Sequence, residues 1–427
     1  MNTESEIIII GAGAAGLMAG TMLSRSFSVT ILEGRDRCGG RINTRRDVFA
    51  DPIEEGAEFV HGEQTVTQEL ASKYGLSDQS VEGRFYNFRS GRISKEEQED
   101  QLWSRLVRTL ESLREDTTMK QFLDDHFSGS ECSDLRQRVK AFAEGYDAAD
   151  LTRVSAFALR DEWRNQDDEN QTRLRSGYSD LIRHLHAEFV SNGGRVQLES
   201  EVRDIRWNRH EVTIESINGN VFKSSKLIVT IPLGVLQHQR IRFSPGLPQH
   251  NAAFQKLGFG GVIKFFFRFT PEFYDRITKR FPKFSFIFSD ARIPTWWSQY
   301  PKAIPITGWL AGPSAVEVAG NQSILQQMAL ESLAYLGGCS VDEVSEGITA
   351  SHIADWISDP FSRGAYAYAT VGSKDIIQFV TQPVSDTLYF AGEAFYHGPA
   401  MGTVEAALQS GSRAAQLILA ADKKSSS

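Results

Sequence analysis

The chain has 427 residues, more than one hydrophobic core usually serves, so two domains are expected. Its 41% hydrophobic and 23% charged residues fit a soluble globular protein, and a net charge of -8 argues against nucleic acid as the main partner and favours a cationic small ligand. Cys38, Cys132 and Cys339 lie far apart with no Cys-x-x-Cys, so neither a metal site nor a disulfide framework is expected, and a reducing, cytoplasmic setting is.

The N-terminal stretch "EIIIIGAGAAGLMAGTMLSRSFSVTILE" reads as strand, glycine turn, helix, strand. Ile7 to Ile10 form the continuous apolar run of a parallel strand covered on both faces. Glu4 and Glu6 precede it where an export signal would carry Lys or Arg, and glycines break the run, so it is read as a buried strand. No segment has the roughly 18 uninterrupted apolar residues that span a bilayer, and no membrane partner is expected. Gly11-Ala12-Gly13-Ala14-Ala15-Gly16 has the G-x-G-x-x-G form of a dinucleotide turn. Gly11 permits the turn, Gly13 lets backbone approach a pyrophosphate, and Gly16 lets helix and strand pack closely. The helix that follows points its free N–H groups at the phosphates. Glu33, closing the second strand, suits a ribose, and Gly39, Gly40 and Arg41 in "EGRDRCGGRINT" can neutralise a pyrophosphate from its other side.

Further along, 95 to 145 is charged with helical periodicity, Leu102, Leu106, Leu110 and Leu113 recurring three or four apart. A helix over 176 to 194 stops at Gly193-Gly194. Strands follow in "RVQLES", "EVRDIRWN", "EVTIES" and "KLIVTIP", and 262 to 310, rich in Phe and Trp, reads as sheet. Within it "VIKFFFRF" alternates Ile263, Phe265, Phe267 and Phe269 against Val262, Lys264, Phe266 and Arg268. A lysine there most often lies on a solvated face. A helix is predicted over 321 to 336, a strand in "TLYFAGEAF", a last helix over 403 to 419, and a frayed tail in "ADKKSSS". The alternation predicts an α/β protein with an interleaved second domain.

Several of these segments resemble the flavin-containing amine oxidases: monoamine oxidases, polyamine oxidases and histone lysine demethylases. "EGRDRCGGR" is similar to that family's Glu-x-Arg-x-Arg-x-Gly-Gly-Arg, "EEGAEFVHG" to the segment passing its flavin ring, and "VIKFFFRF" to the strand carrying its flavin lysine. "TIPLGVL", "ADWISDPFSRGAYAY" and "LYFAGEAFYHGPAMGTVEAALQSGSRAA" match later family segments in the right order. The resemblance implies a Rossmann-like FAD domain built from 1–80, 190–260 and 375–427, and a sheet-plus-helices substrate domain from 81–189 and 261–374.

It also implies that FAD is held by Gly11, Gly13, Ala14, Ala15, Gly16, Glu33, Arg35, Gly40, Arg41, Ala57, Glu58, Phe59, Val202, Trp356, Gly392, Glu393, Thr403 and Val404. Lys264 would hold a water against flavin N5, with Tyr366, His61 and Trp356 around the reacting amine and Trp296-Trp297 as channel candidates. Ala365 stands where covalent members have a cysteine, so FAD is expected without a covalent bond. Thr403 stands where monoamine oxidases complete a tyrosine sandwich, which looks like the polyamine oxidase and demethylase branch. A demethylase is not expected, since 427 residues are short for that group's coiled-coil insertion and extra N-terminal domain. The implied reaction passes a hydride from a primary or secondary amine to the flavin, with O2 as acceptor, giving imine or aldehyde and hydrogen peroxide. An amino-acid oxidase, a desaturase or a flavin-binding protein without turnover are the alternatives on the same fold.

Overall fold

The computed structural model describes residues 2–62, 64–94, 101–165, 171–298, 305–396, 398 and 400–425. Five parallel strands form the sheet that the glycine motif opens, in the order Arg195–Gln197, Val29–Leu32, Ile7–Ile10, Lys226–Val229, Leu388–Phe390. Ile7–Ile10 sits at its centre and is buried along its whole length, as the unbroken isoleucine run requires. Ile7 and Ile9 pack with Leu17, Leu185, Phe189 and Leu408 of three helices, Ala14–Leu23, Tyr178–Ser191 and Val404–Ser425. Ile8 and Ile10 point the other way, into Ile205, Val212, Ile214 and Phe222 of a second five-stranded sheet.

A seven-stranded sheet runs in the order Ile348–Asp355, Val262–Phe269, Ile306–Ala311, Thr295–Trp297, Phe284–Ser289, Arg84–Arg89, Arg92–Ser94. The alternation in "VIKFFFRF" sorts as its sequence predicts. Ile263, Phe265, Phe267 and Phe269 pack against Leu325, Met328 and Leu333 of the helix Gln322–Gly337. Val262, Lys264 and Phe266 face away from that helix cluster and join other parts of the interior.

Two expectations are corrected, and the helical periodicity of a third segment divides into separate helices. The stretch 262 to 310 is not sheet throughout, because a helix, Pro271–Arg280, interrupts it. Thr270 caps that helix by accepting from Phe273 N, Pro271 fits its first turn, and Phe273 and Ile277 bury one face. Residues 299–304 of the stretch lie outside the described residues. The 95 to 145 segment is three helices, Gln101–Ser112, Met119–His126 and Ser133–Gly145, with Thr118 capping the second; 95–100 lie outside the described residues. Leu106 and Leu110 are buried there with Phe122 and Val139. The last helix continues past 419 to Ser425, so the "ADKK" part of the tail is helical; Ser426 and Ser427 lie outside the described residues.

Candidate active site

One cleft of about 1970 Å3 runs from the parallel sheet to the seven-stranded sheet. Apart from Gly16 and Trp296, every residue expected to hold the cofactor or the amine lines it. Gly16 is a packing residue, since a Cβ there would come 1.9 Å from Gly11 O. Gly11 takes φ +104°, and a Cβ on it would meet Thr230 Oγ1 at 2.8 Å, so only glycine fits that turn.

Between the two glycine turns the cleft is open. A Cβ on Gly13 would meet only Gly39 O, at 3.9 Å, and one on Gly40 only Gly13 Cα, at 3.8 Å. Helix Ala14–Leu23 starts at this groove with no side-chain cap and no acidic residue in its first turn, which leaves its N–H groups to an anion. Side chains at either turn would fill the space a pyrophosphate needs, so the residues fit a dinucleotide.

Glu33 is buried beside this groove, its Oε2 accepting from Ala12 N at 2.8 Å and its Oε1 from Arg35 N at 2.9 Å. The carboxylate thus fixes the glycine loop and keeps further lone pairs for a hydroxyl donor. Both arginines expected at the phosphates are ion-paired. Arg35 reaches Asp359 with two bonds, 2.9 and 2.6 Å, and Ser362 Oγ at 3.2 Å. Arg41 Nη1 meets Glu393 Oε1 at 2.7 Å and also donates to Ala365 O. Glu393 Oε2 accepts from Ala367 N at 3.2 Å, so Arg41 and Glu393 tie the second glycine loop to the segment that carries Tyr366.

Thr403 caps the final helix, donating to Ala400 O at 2.7 Å and accepting from Ala406 N at 3.2 Å. With Val404 it lines the cleft, so a second helix N-terminus opens on the same space. Trp356 donates Nε1 to Glu55 O at 2.7 Å and is buried against the 54–62 segment.

Lys264 is 1% exposed, so the solvated-face placement common for a strand lysine does not occur. Its Nζ donates to Glu54 O at 2.9 Å, Gly56 O at 3.0 Å and Glu58 Oε2 at 2.9 Å. The rings of Trp297 and Trp309 lie 5.3 and 5.8 Å from the same nitrogen. Tyr366 stacks on Trp309 at 6.4 Å between centroids and donates its hydroxyl to Tyr146 O. Burial, with Asp147 and Tyr146 close by, pushes the Tyr366 phenol well above its ordinary range, so it stays protonated. His61 is pushed down to about 4 by burial and is neutral at physiological pH; its Nδ1 lies 3.4 Å from Tyr146 Oη.

The tryptophan pair divides, as adjacent strand residues must. Trp297 lines the cleft and donates Nε1 to Glu58 Oε1 at 3.0 Å. Trp296 is fully buried behind it against Gly308. The sequence reading missed Thr230, Tyr146, Asp147, Glu162 and Trp309, all on the cleft wall. Asp147 directly follows Tyr146 in "GYD", and nothing local in that sequence signals a pocket. Burial and the neighbouring Glu162 push the Asp147 carboxyl well above its ordinary range, which favours its protonated form.

The groove between the glycine turns therefore suits a dinucleotide, and the same cleft continues to Lys264, Trp309 and Tyr366. A family model described as flavin containing amine oxidoreductase matches residues 14–419, and the chain belongs to that family. It is 26% identical to probable polyamine oxidase 5 of Arabidopsis thaliana, over 90% of this chain and 89% of that protein. Against lysine-specific histone demethylase 2 of Homo sapiens it is 27% identical over 98% of this chain, which spans about half of that protein, 54%. Putrescine oxidase bound to putrescine shares the fold at TM-score 0.79 and 19% identity, over 98% of this chain and 100% of that one. Cyclohexylamine oxidase from Brevibacterium oxydans does so at TM-score 0.79 and 19% identity, covering 98% and 99%. The protein is an enzyme of the flavin-containing amine oxidoreductase class, and among the described residues no helix is long and apolar enough to cross a membrane.

Proposed function

We propose that the protein binds FAD without a covalent bond and oxidises a primary or secondary amine, polyamines or their acetylated forms favoured. The observation that carries this reading is the continuity of the cleft, in which the glycine groove and the chamber of Lys264, Trp309 and Tyr366 are one space. The resemblance-based division into 1–80, 190–260 and 375–427 against the intervening pieces is part of the same proposal. The parallel sheet supports it by drawing strands from all three former segments.

Gly13, Gly40 and the two helix N-termini at Ala14 and Val404 would take the pyrophosphate and the ring edge, and Glu33 and Val202 the adenosine end. When bound, FAD supplies the acceptor for the hydride on the carbon beside the amine nitrogen, and O2 returns it to the oxidised form with release of hydrogen peroxide. The protein's own part is to seat the amine and exclude water. Trp309 and Tyr366 present flat walls, and neutral His61 offers a hydrogen-bond acceptor without a competing charge. Asp147 and Glu162 put two acid groups on the cleft wall, with which a second ammonium would pair. The three cysteines stand outside the cleft lining, and burial raises the Cys38 thiol to about 11, which supports release of the flavin by acid.

A panel of amines read by peroxide release tests the assignment. Spermidine, spermine and their acetyl derivatives should exceed benzylamine and phenethylamine in kcat/KM; the reverse order would overturn the substrate preference.

A further inference from the structure

Glu58 has an environment that cofactor binding does not explain. Its carboxylate collects side chains from three separate strands. Lys264 Nζ, from Val262–Phe269, meets Oε2 at 2.9 Å; Trp297 Nε1, from Thr295–Trp297, meets Oε1 at 3.0 Å. Arg173 Nε, from Gln171–Leu174, lies 3.1 Å from Oε1, with its guanidinium 4.5 Å over the Phe59 ring. Glu58 and Lys264 are both buried, and the pair lies on the cleft wall.

The other acids nearby do not share this task. Glu54 offers Lys264 only its backbone carbonyl, while its carboxyl turns to the Thr44 hydroxyl and Tyr178 N. Glu55 is occupied by Asn43, Arg45 and His352. The remaining groups around the Lys264 ammonium are Gly56 O and the rings of Phe266, Trp297 and Trp309. Among the described residues Glu58 is the carboxylate that directly meets Lys264, and one side of it orients the lysine while the other orients an indole of the chamber.

We propose that Glu58 is the positioning residue of Lys264 and Trp297, fixing the ammonium and the indole in one arrangement beside the flavin. Two carbonyls define where the ammonium sits, and the carboxylate supplies the counter-charge that a buried cation needs. Because Oε1 and Oε2 are used by different partners, shortening or neutralising the side chain disturbs both at once. The inference rests on the reading of Lys264 as the residue beside the flavin ring.

The test is a double-mutant cycle of Glu58→Gln and Lys264→Met, read on reoxidation of FAD that has been reduced by light, so that no amine is needed. Lys264→Met is expected to slow reoxidation about tenfold or more. Glu58→Gln should slow it severalfold in the wild-type background, with a shifted visible flavin band, and change it less than twofold in Lys264→Met. Wild-type rates in Glu58→Gln, or equal slowing in both backgrounds, would overturn the proposal while leaving Lys264 in its role. Wild-type rates in Lys264→Met would instead remove the reading of Lys264, and the inference with it. If Glu58→Gln loses FAD, Glu58→Asp is read in the same cycle. Loss of FAD from both, with Lys264→Met still loaded, would assign Glu58 to the fold and contradict the proposal.

Discussion

Asp147 and Glu162 place two acid groups on the cleft wall, and Asp147 is close enough to Tyr366 to raise its phenol. A charge-assisted bond from a buried carboxylate to a substrate ammonium contributes about 1.5–3 kcal/mol. Replacing both acids, Asp147→Asn together with Glu162→Gln, should therefore raise KM roughly tenfold or more for spermidine while leaving that for a simple alkyl monoamine within about twofold. Parallel steady-state curves for the two substrates check this, and equal rises for both would show that the pair shapes the chamber rather than binding a second nitrogen. His61 adds a pH expectation. With its imidazole held at about 4 by burial, it stays neutral from pH 5 upward, so the rise of kcat/KM with pH should follow the pKa of the amine. A profile that keeps one fixed inflection near 6 for amines of different basicity would contradict that.

Glu405 shows how one element holds another in place. Standing in the first turn of the final helix and 2% exposed, it accepts from Val66 N at 3.0 Å and from Thr67 N and Oγ1, both at 2.8 Å. It thereby caps the helix Thr65–Lys73, whose own N-cap residue, Gln64, makes no side-chain capping bond. Glu405→Ala should cost about 1–3 kcal/mol, because one buried and one partly buried N–H group lose their acceptor. Urea unfolding checks this, and an unchanged midpoint would mean that water replaces the carboxylate. Nothing in the sequence pairs residue 405 with 66, since such long-range capping leaves no periodic trace.

What was legible in the sequence follows the same division. Strand and helix order around Gly11 to Gly16 came from local pattern, because an unbroken isoleucine run and a glycine turn each have one comfortable backbone solution. The two faces of "VIKFFFRF" came from period alone. The helix Pro271–Arg280 was missed although Thr270-Pro271 is a helix start, because the aromatic run on either side dominated the reading. Trp309, Tyr146, Asp147 and Glu162 were missed for a deeper reason. They reach the cleft from separate elements brought together only by packing.

Folding of the molecule as a whole is tied to Glu54. Burial raises its carboxyl from the ordinary 4.5 to about 8, so the folded protein keeps a proton there that the unfolded chain releases. Between pH 4.5 and 8 the folded state binds more protons than the unfolded one, and stability contributed by this group falls as pH rises. The contribution is fully present below the unfolded value and lost on passing through the folded one. Thermal unfolding across pH 5 to 9 should show a declining Tm, and Glu54→Gln, which keeps shape without the charge, should flatten that decline. An equally steep decline in Glu54→Gln would place the dependence elsewhere.

On the proposed function, the glycine groove and the chamber of Lys264, Trp309 and Tyr366 serve one reaction. The most direct measurement is an anaerobic titration of the purified protein with a polyamine, followed at the visible flavin bands. The account predicts a yellow protein whose colour bleaches on adding the amine and returns on admitting air, with hydrogen peroxide formed in proportion. A yellow protein that keeps its colour with every amine in the panel would contradict it and leave flavin binding without amine turnover.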